Sequence, residues 1–199
     1  MAISFALFSD SGLTVPFPGP LQITDYTNLS NGSQVFDYYF GSPLSLTTLQ
    51  SVSNPGVDNI VLTPTYILPE FEVSHVYSLG ESIIPTSPNG YRYEVTTAGT
   101  SDSSEPSWGT TLGGVNNSGT VDFTLVAEDS PTTEITLGLT EADLAINTPG
   151  APLSLGPSIS SAPLNAIRIW IKIVNTITNV SESFGTPEYG LNLNLVREA

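Results

Sequence analysis

The residues with the clearest potential for chemistry are aromatic side chains in the middle of the chain. They are Tyr77, Tyr91, Tyr93, Trp108 and Phe123. Exposed aromatic rings can stack on sugar rings, and Tyr91, Tyr93 and Trp108 are our candidates for such a carbohydrate-stacking site. The alternative is core packing, since buried aromatic rings would stabilise a segment that has few long aliphatic side chains. Of these two interpretations we favour core packing, and the carbohydrate-stacking site is the second.

The sequence patterns that signal catalysis or metal binding are missing. His75 is the sole histidine and the chain has no cysteine, so one chain cannot build a nitrogen- or sulfur-rich metal site. The acidic pairs Glu128–Asp129 and Glu141–Asp143 lack the dense spacing of a calcium loop and are interpreted as solvated surface. No nucleophile elbow or phosphate loop occurs. We therefore expect no enzymatic activity, no metal and no cofactor.

The charge of the chain restricts its partners. Its 199 residues include 19 Asp and Glu but only 4 Lys and Arg, which gives a net charge of −15. Nucleic acid is not expected as a partner, because phosphate binding needs clustered basic residues. No apolar run approaches the roughly 20 residues of a spanning helix, so no membrane association is expected. The lack of a cleavable leader predicts synthesis in the cytoplasm.

Short strands between turns must position these side chains. The 16 Pro and 17 Gly interrupt nearly every window long enough for three helical turns. Ile167, Ile169, Ile171 and Ile173 alternate with other residues, which is the strongest strand signal in the chain. Strands are predicted at 3–8, 35–40, 46–52, 60–62, 91–95, 121–125, 134–139, 166–174 and 191–195, with one helical turn at 141–145. This spacing predicts an all-β fold, namely a β-sandwich of the immunoglobulin-like or jelly-roll-like kind.

Several motifs follow one another in the middle of the chain. They are Tyr77-x-x-Gly80, Gly90-Tyr91-x-Tyr93, Thr97-Ala98-Gly99-Thr100-Ser101, Glu105-Pro106-x-Trp108 and Gly119-Thr120-Val121-x-Phe123. In this order they resemble a small module that recurs in tailed-bacteriophage virion proteins. The family often has a glycine after the position of Ser101, where this chain has Asp102. The resemblance implies a β-rich module on the surface of a virion, sometimes suspected of touching carbohydrate, and it supplies no catalytic residues.

The flanking segments carry a second resemblance. Their motifs are Leu7-Phe8-Ser9-Asp10-Ser11-Gly12-Leu13-Thr14, Asn54-Pro55-Gly56-Val57-Asp58-Asn59-Ile60, and Thr148-Pro149-Gly150 with Leu153-x-Leu155-Gly156. They resemble pieces of uncharacterised phage structural proteins, in which the piece corresponding to residues 73–127 can be absent. The resemblance implies a discontinuous β-sandwich, residues 1–72 plus 128–199, that acts as an anchoring domain. Residues 73–127 would then be an inserted surface module, at a site where insertions are tolerated.

Together the resemblances imply a structural component of a tailed-phage virion, located at the tail or baseplate or as a capsid decoration (cement) protein. The expected partners are other virion proteins and further copies of the chain in a symmetric homo-oligomer. We expect Met1–Pro20 or Leu191–Ala199 to dock on another subunit, because extended terminal segments can add to a neighbour's sheet. The alternative is a carbohydrate-binding module that contacts a host-surface glycan. A secreted bacterial adhesin domain is disfavoured by the missing leader.

Overall fold

A computed structural model describes residues 3–17, 21–22, 33–66, 68–128, 132–174 and 188–199, and the structural statements below concern these residues. Their backbone forms strands and turns, with 3-10 helices at Thr132–Glu134, Glu141–Ala145 and Pro163–Asn165. The strands are β1 (Ala6–Phe8), β2 (Leu21–Gln22), β3 (Ser33–Gly41), β4 (Thr48–Ser51), β5 (Ile60–Thr65), β6 (Val76–Tyr77), β7 (Ser82–Ile83), β8 (Tyr91–Thr97), β9 (Gly99–Thr100), β10 (Val115–Ser118), β11 (Val121–Glu128), β12 (Ile135–Gly138), β13 (Leu153–Gly156), β14 (Ser158–Ser160), β15 (Ile167–Val174), β16 (Glu188–Leu193) and β17 (Val196–Glu198). The all-β prediction is confirmed. The helical turn predicted at 141–145 is one of the 3-10 helices.

The first sheet has the order β1-β3-β15-β12, and every neighbouring pair is antiparallel. The predicted alternation in β15 determines which of its sides is buried. Ile169, Ile171 and Ile173 are fully buried, while Arg168 is exposed on the opposite side. Phe40 of β3 faces the same core as the isoleucines, and the two aromatic residues that alternate with it pack against that core, as predicted.

The second sheet has a middle strand in two pieces. β5 pairs with β13 and β16, and β4 pairs with β14 and β17, all antiparallel. Because β13 leads directly into β14 and β16 into β17, β4 and β5 lie end to end along one strand path, and residues 52–59 leave the sheet between them. Val57 N and Asp58 N both donate to Asn54 O, at 3.1 and 2.9 Å, which closes the predicted turn. β2 pairs with the other side of β16.

The two sheets enclose one hydrophobic core. Its buried members come from both sheets: Phe5, Phe40, Leu49, Ile60, Leu62, Ile135, Leu137, Leu153, Leu155, Ile159, Ile169, Ile171 and Ile173. Side chains from facing sheets that form one contiguous cluster are the defining feature of a β-sandwich. The sandwich therefore draws its strands from the two ends of the sequence, before residue 67 and after residue 131.

A second core lies in the segment between these two parts. Its buried residues are Phe71, Tyr77, Ile83, Tyr93, Val95, Val121, Phe123 and Leu125. Among the described residues, the strands of this segment pair only with one another, in a sheet of order β10-β11-β8-β7 and a short β6-β9 ladder. Phe71 belongs to this core although it precedes the predicted start of the inserted module at residue 73. The insertion itself stays a prediction, with which the separate cores agree.

The closing strand predicted over 191–195 is interrupted after Leu193. Asn194 replaces the strand ladder there: its Oδ1 accepts a hydrogen bond from Val61 N at 2.8 Å, and its Nδ2 donates to Asn59 O at 3.1 Å. Leu195 consequently points into solvent, with 76% of its surface exposed. Pairing then resumes at β17. The described parts of both terminal segments pair within their own chain, and the expected docking of one of them on another subunit stays a prediction.

Candidate functional site

The predicted aromatic residues come together around Trp108. Its ring centroid lies 4.4 Å from that of Tyr93, 5.5 Å from Phe123 and 5.7 Å from Phe71. Most of these contacts are edge-to-face, the geometry that aromatic side chains prefer in protein interiors. Trp108 is half-buried and covers one side of the second core.

Tyr93 is a core residue and its ring faces are inaccessible to a sugar, because none of its surface is exposed. Its hydroxyl accepts a hydrogen bond from Asn89 Nδ2 at 2.9 Å and donates one to Gly109 O at 3.1 Å. Burial raises the pKa of Tyr93, so the phenol stays protonated and keeps its donor. Of the three stacking candidates, only Tyr91 and Trp108 keep exposed ring area.

Glu105 fixes the orientation of Trp108. Its Oε1 accepts hydrogen bonds from Trp108 Nε1 at 2.8 Å and from Thr86 N at 2.9 Å, and its Oε2 accepts one from Thr86 Oγ1. Burial would raise the pKa of Glu105, but the hydrogen bonds from Thr86 and Trp108 outweigh it and hold the pKa below its usual value. Glu105 therefore joins two loops and the indole ring through an ionised carboxylate. The sequence marks Glu105 only as a member of the motif Glu105-Pro106-x-Trp108, and nothing in that motif indicates that its carboxylate binds the indole.

Other motif residues hold the turns of the same segment together. Ser101 Oγ donates to Glu72 O at 2.7 Å and accepts from His75 N at 3.0 Å. Gly99 packs so closely on Thr120 that a Cβ at position 99 would overlap the Thr120 carbonyl. These contacts are made by main-chain atoms and small side chains, which suits a structural role better than recognition of a ligand.

His75 lies beside a small acidic pocket of about 380 Å³. Its Nδ1 is 3.2 Å from Glu72 Oε2, and Glu70 and Glu81 also line the pocket. Within the described ranges, no group of three or more His, Asp or Glu residues is arranged to hold a metal ion. The pocket is therefore acidic, but its described side chains are not arranged to coordinate a metal ion.

The outer face of the first sheet carries a cluster that sequence reasoning missed. Arg168 pairs with Asp37, with Nε and Nη2 at 2.9 and 2.8 Å from Asp37 Oδ2, and its guanidinium lies 4.3 Å from the centre of the Trp170 ring. The centre of the Tyr39 ring is 5.8 Å from the same guanidinium. The alternation in β15 could have placed Arg168 and Trp170 on one face. The position of Asp37 beside Arg168 could not be predicted, because it depends on the register between β3 and β15. The guanidinium therefore already covers one face of the Trp170 indole ring.

No protein-family model matches the chain, and neither a curated protein nor a solved structure does. A function can therefore be inferred only from the residues described above and from the motif resemblances. The described part of the chain contains no helix that is long and apolar enough to cross a membrane.

Proposed function

We propose that the chain is a structural component of a tailed-phage particle, located at the tail or baseplate or as a capsid decoration. In this proposal residues 1–72 and 128–199 form the anchoring β-sandwich, and residues 73–127 form a module displayed on the particle surface. Neighbouring virion proteins and further copies of the chain are the partners.

The observation that carries the proposal is that the residues of the resemblance form one interlocked unit. Tyr93, Trp108 and Phe123 supply its core, and Glu105 binds the indole of that core. Gly119, with φ of +61°, makes the turn between β10 and β11. Motifs far apart in sequence thus depend on one another in space, so their joint presence is hard to explain by chance composition. These contacts support the interpretation that the motif resemblance reflects a shared fold.

The strand register supports insertion of this unit into the sandwich. Glu70 bridges to Ile84 next to β7, and Ala127 lies opposite Arg92 on β8. Both ends of the unit therefore lie at the same level of one sheet, separated by three strand spacings, or about 14 Å. Insertions are tolerated where the two ends of the inserted chain are close.

The edges of the first sheet are occupied within the chain. On β12, Ile135 O accepts from Gly150 N and Leu137 O accepts from Asn147 Nδ2, both at 2.7 Å. On β1, Leu7 O accepts from Phe17 N at 2.9 Å. Occupied edges resist open-ended pairing with other chains. Assembly contacts at this sheet would consequently involve its outer face and the adjoining loops rather than added strands.

The test is the composition of particles purified from the phage that encodes the chain. We expect the chain to co-sediment with infectious particles through a density gradient at a fixed copy number, determined by quantitative mass spectrometry. Hundreds of copies would indicate a capsid decoration and a few to a few dozen a tail or baseplate protein. Recovery of the chain only in the soluble lysate, away from the particles, would contradict the proposal.

A further inference from the structure

Residues 3–17 form a hairpin at one edge of the sandwich, which we call the N-terminal hairpin. Ser9 N donates to Val15 O and Phe17 N donates to Leu7 O, both at 2.9 Å. Its first arm contains β1, which pairs with β3 at the edge of the first sheet. Because β1 is an edge strand, the hairpin can open without breaking the pairing of β3 with β15.

Apolar contacts attach part of the hairpin to the sandwich. Phe5, Phe8 and Leu13 are buried, and Phe5 belongs to the sandwich core. The ring of Phe17 packs edge-to-face on that of Tyr38, with 4.8 Å between the ring centres. Burial of this kind is insensitive to pH, because the buried groups carry no charge that titrates in acid.

The start of the hairpin is tied to the other sheet by a carboxylate. Ser4 N donates to Glu198 Oε2 at 2.8 Å, and Ser4 Oγ donates to Glu198 Oε1 at 2.6 Å. The same Ser4 Oγ lies 2.7 Å from Oγ of Ser42, a buried residue directly after β3. Since Glu198 lies on β17 of the second sheet, its carboxylate connects the hairpin across the end of the sandwich.

A second carboxylate closes the turn of the hairpin. Asp10 Oδ1 accepts hydrogen bonds from Val15 N at 2.7 Å and from Thr14 N at 3.0 Å, and Oδ2 accepts one from Thr14 Oγ1 at 2.9 Å. Asp10 is the only charged residue of the hairpin. Both ends of the hairpin therefore depend on hydrogen bonds to an ionised acid, which are stronger than those to a neutral group.

The charged groups near these carboxylates are few. Residues 42–51, which lie beside Glu198, include no charged side chain, and Arg197 alternates with Glu198 on β17 and is exposed. The strand β3, on which the hairpin packs, carries Asp37, Tyr38 and Tyr39, and Asp37 pairs with Arg168. Among the described residues, neither Asp10 nor Glu198 forms an ion pair.

Hydrogen bonding shifts both acids in the same direction. The bonds from Ser4 hold the pKa of Glu198 below its usual value, and those from Val15 and Thr14 do the same to the pKa of Asp10. A lowered folded-state pKa means that the stabilisation is fully present above the unfolded pKa. It is lost as the pH falls through the folded pKa.

We propose that the N-terminal hairpin is an acid-released strap, which Glu198 and Asp10 hold on the sandwich at neutral pH and which opens in acid while the rest of the sandwich stays folded. The strap forms one wall of an apolar groove of about 450 Å³, with Leu191 and Leu193 on the opposite wall. Opening would uncover that wall and the core beneath Phe5. This device is independent of the proposed function, since it needs no particle and no partner.

Neutral substitutions test the strap at constant pH, so that no correction for intrinsic exchange rates is needed. Glu198→Gln and Asp10→Asn keep the size of each side chain and remove its charge. We expect each to lower the hydrogen-exchange protection of residues 4–17 about tenfold at neutral pH, with the protection of β15 unchanged. Glu141→Gln, at an exposed acid on a 3-10 helix, is the matched control and should leave both segments unchanged.

An acid titration of the natural chain completes the test. Protection factors of residues 4–17, corrected for intrinsic rates, should fall in acid before those of β15. The double variant Glu198→Gln with Asp10→Asn should lose this pH dependence. Unchanged protection of the hairpin in either single variant, an equal loss in β15, or a pH dependence that persists in the double variant would overturn the strap.

Discussion

Trp108 is the residue for which packing and ligand binding make opposite predictions. Its ring contacts Tyr93, Phe123 and Phe71, and its indole nitrogen is already bound to Glu105. A sugar platform would require a ring that is exposed and free to pair with a polar ligand group. The contacts instead make Trp108 the outer member of the second core.

Replacing the ring tests this assignment. We expect Trp108→Ala to lower the free energy of unfolding by about 3 kcal/mol, near the lower end for loss of a large aromatic residue because the ring is only half-buried. Urea denaturation followed by circular dichroism measures it. Tyr91→Ala is the control: Tyr91 is also half-buried against this core, but among the described residues it forms no aromatic ring pair, so its removal should cost less. Unchanged stability together with lost glycan-array binding would instead assign Trp108 to a sugar site.

Glu105 makes the stability of the second core depend on pH. Its pKa is lower in the folded than in the unfolded chain, so its contribution is fully present above the unfolded pKa and is lost as the pH falls through the folded pKa. Glu105→Gln should therefore lower stability by about 1–3 kcal/mol at neutral pH. The difference from the natural chain should shrink in acid, as the pH falls through the lowered pKa of Glu105 and its carboxylate becomes protonated.

Urea denaturation at a series of pH values measures this difference. Glu141→Gln is the control because Glu141 is exposed on a 3-10 helix, and it should leave the stability nearly unchanged at neutral pH. An equal loss for Glu105→Gln at every pH would show that the carboxylate charge has no part in binding Thr86 and Trp108.

At the scale of elements, the hairpin between β10 and β11 depends on one glycine. Gly119 has φ of +61°, and a Cβ there would overlap Thr100 O in the neighbouring strand β9. Gly80 offers a matched comparison, since its φ is +86° but nothing lies within 4 Å of a Cβ at that position. The two glycines thus share backbone strain and differ in steric overlap.

We expect Gly80→Ala to cost about 1–2 kcal/mol, the usual penalty of a left-handed conformation. Gly119→Ala should cost about 3 kcal/mol or more, because overlap adds to the strain. Thermal unfolding and chemical denaturation of both variants measure the difference. Equal costs would mean that β9 moves aside freely at Thr100, and the contacts between the motif segments would then be weaker than proposed.

Strands were predictable where one side of the strand is buried and the other faces solvent, because apolar and polar residues then alternate along the sequence. β15 followed from its alternating isoleucines, and β8 and β11 from the same pattern. β4 and β5, with a turn between them, were predicted as separate strands, but their position end to end along one strand path was not, because it follows only from their pairing with β13–β14 and β16–β17. Asn194 likewise ends β16 through contacts with residues far away in sequence. Pairing between distant segments is invisible to local periodicity.

At the candidate site, too, the sequence predicted local features but not contacts between distant segments. The sequence identified the aromatic residues that gather in the second core, because composition alone marks their segment. It could not tell that Tyr93 is fully buried or that Glu105 binds the indole, since both depend on how the loops close. The exposure of Leu46 and Leu164 on two hydrogen-bonded loops was also missed, because both look like ordinary apolar residues in the sequence.

At the scale of the whole molecule, the two cores raise the question of whether they fold independently. The sandwich core contains residues 5–62 and 135–173, and the second core residues 71–125, with no shared buried member. Glu70 and Ala127 lie about 14 Å apart across one sheet. A flexible linker of about seven residues spans this distance. The sandwich could therefore be closed without the second core.

Replacing residues 71–126 by about seven Gly and Ser residues should leave the sandwich folded. Its buried residues all lie outside the excised segment, so we expect a cooperative urea transition and slow amide exchange in β15. Ile171→Ala in the shortened chain is the control. It should lower stability by about 2–5 kcal/mol if the native core persists. A chain that binds a hydrophobic dye, unfolds without cooperativity and ignores Ile171→Ala would show that the sandwich needs the second core, and the insertion model would then be wrong.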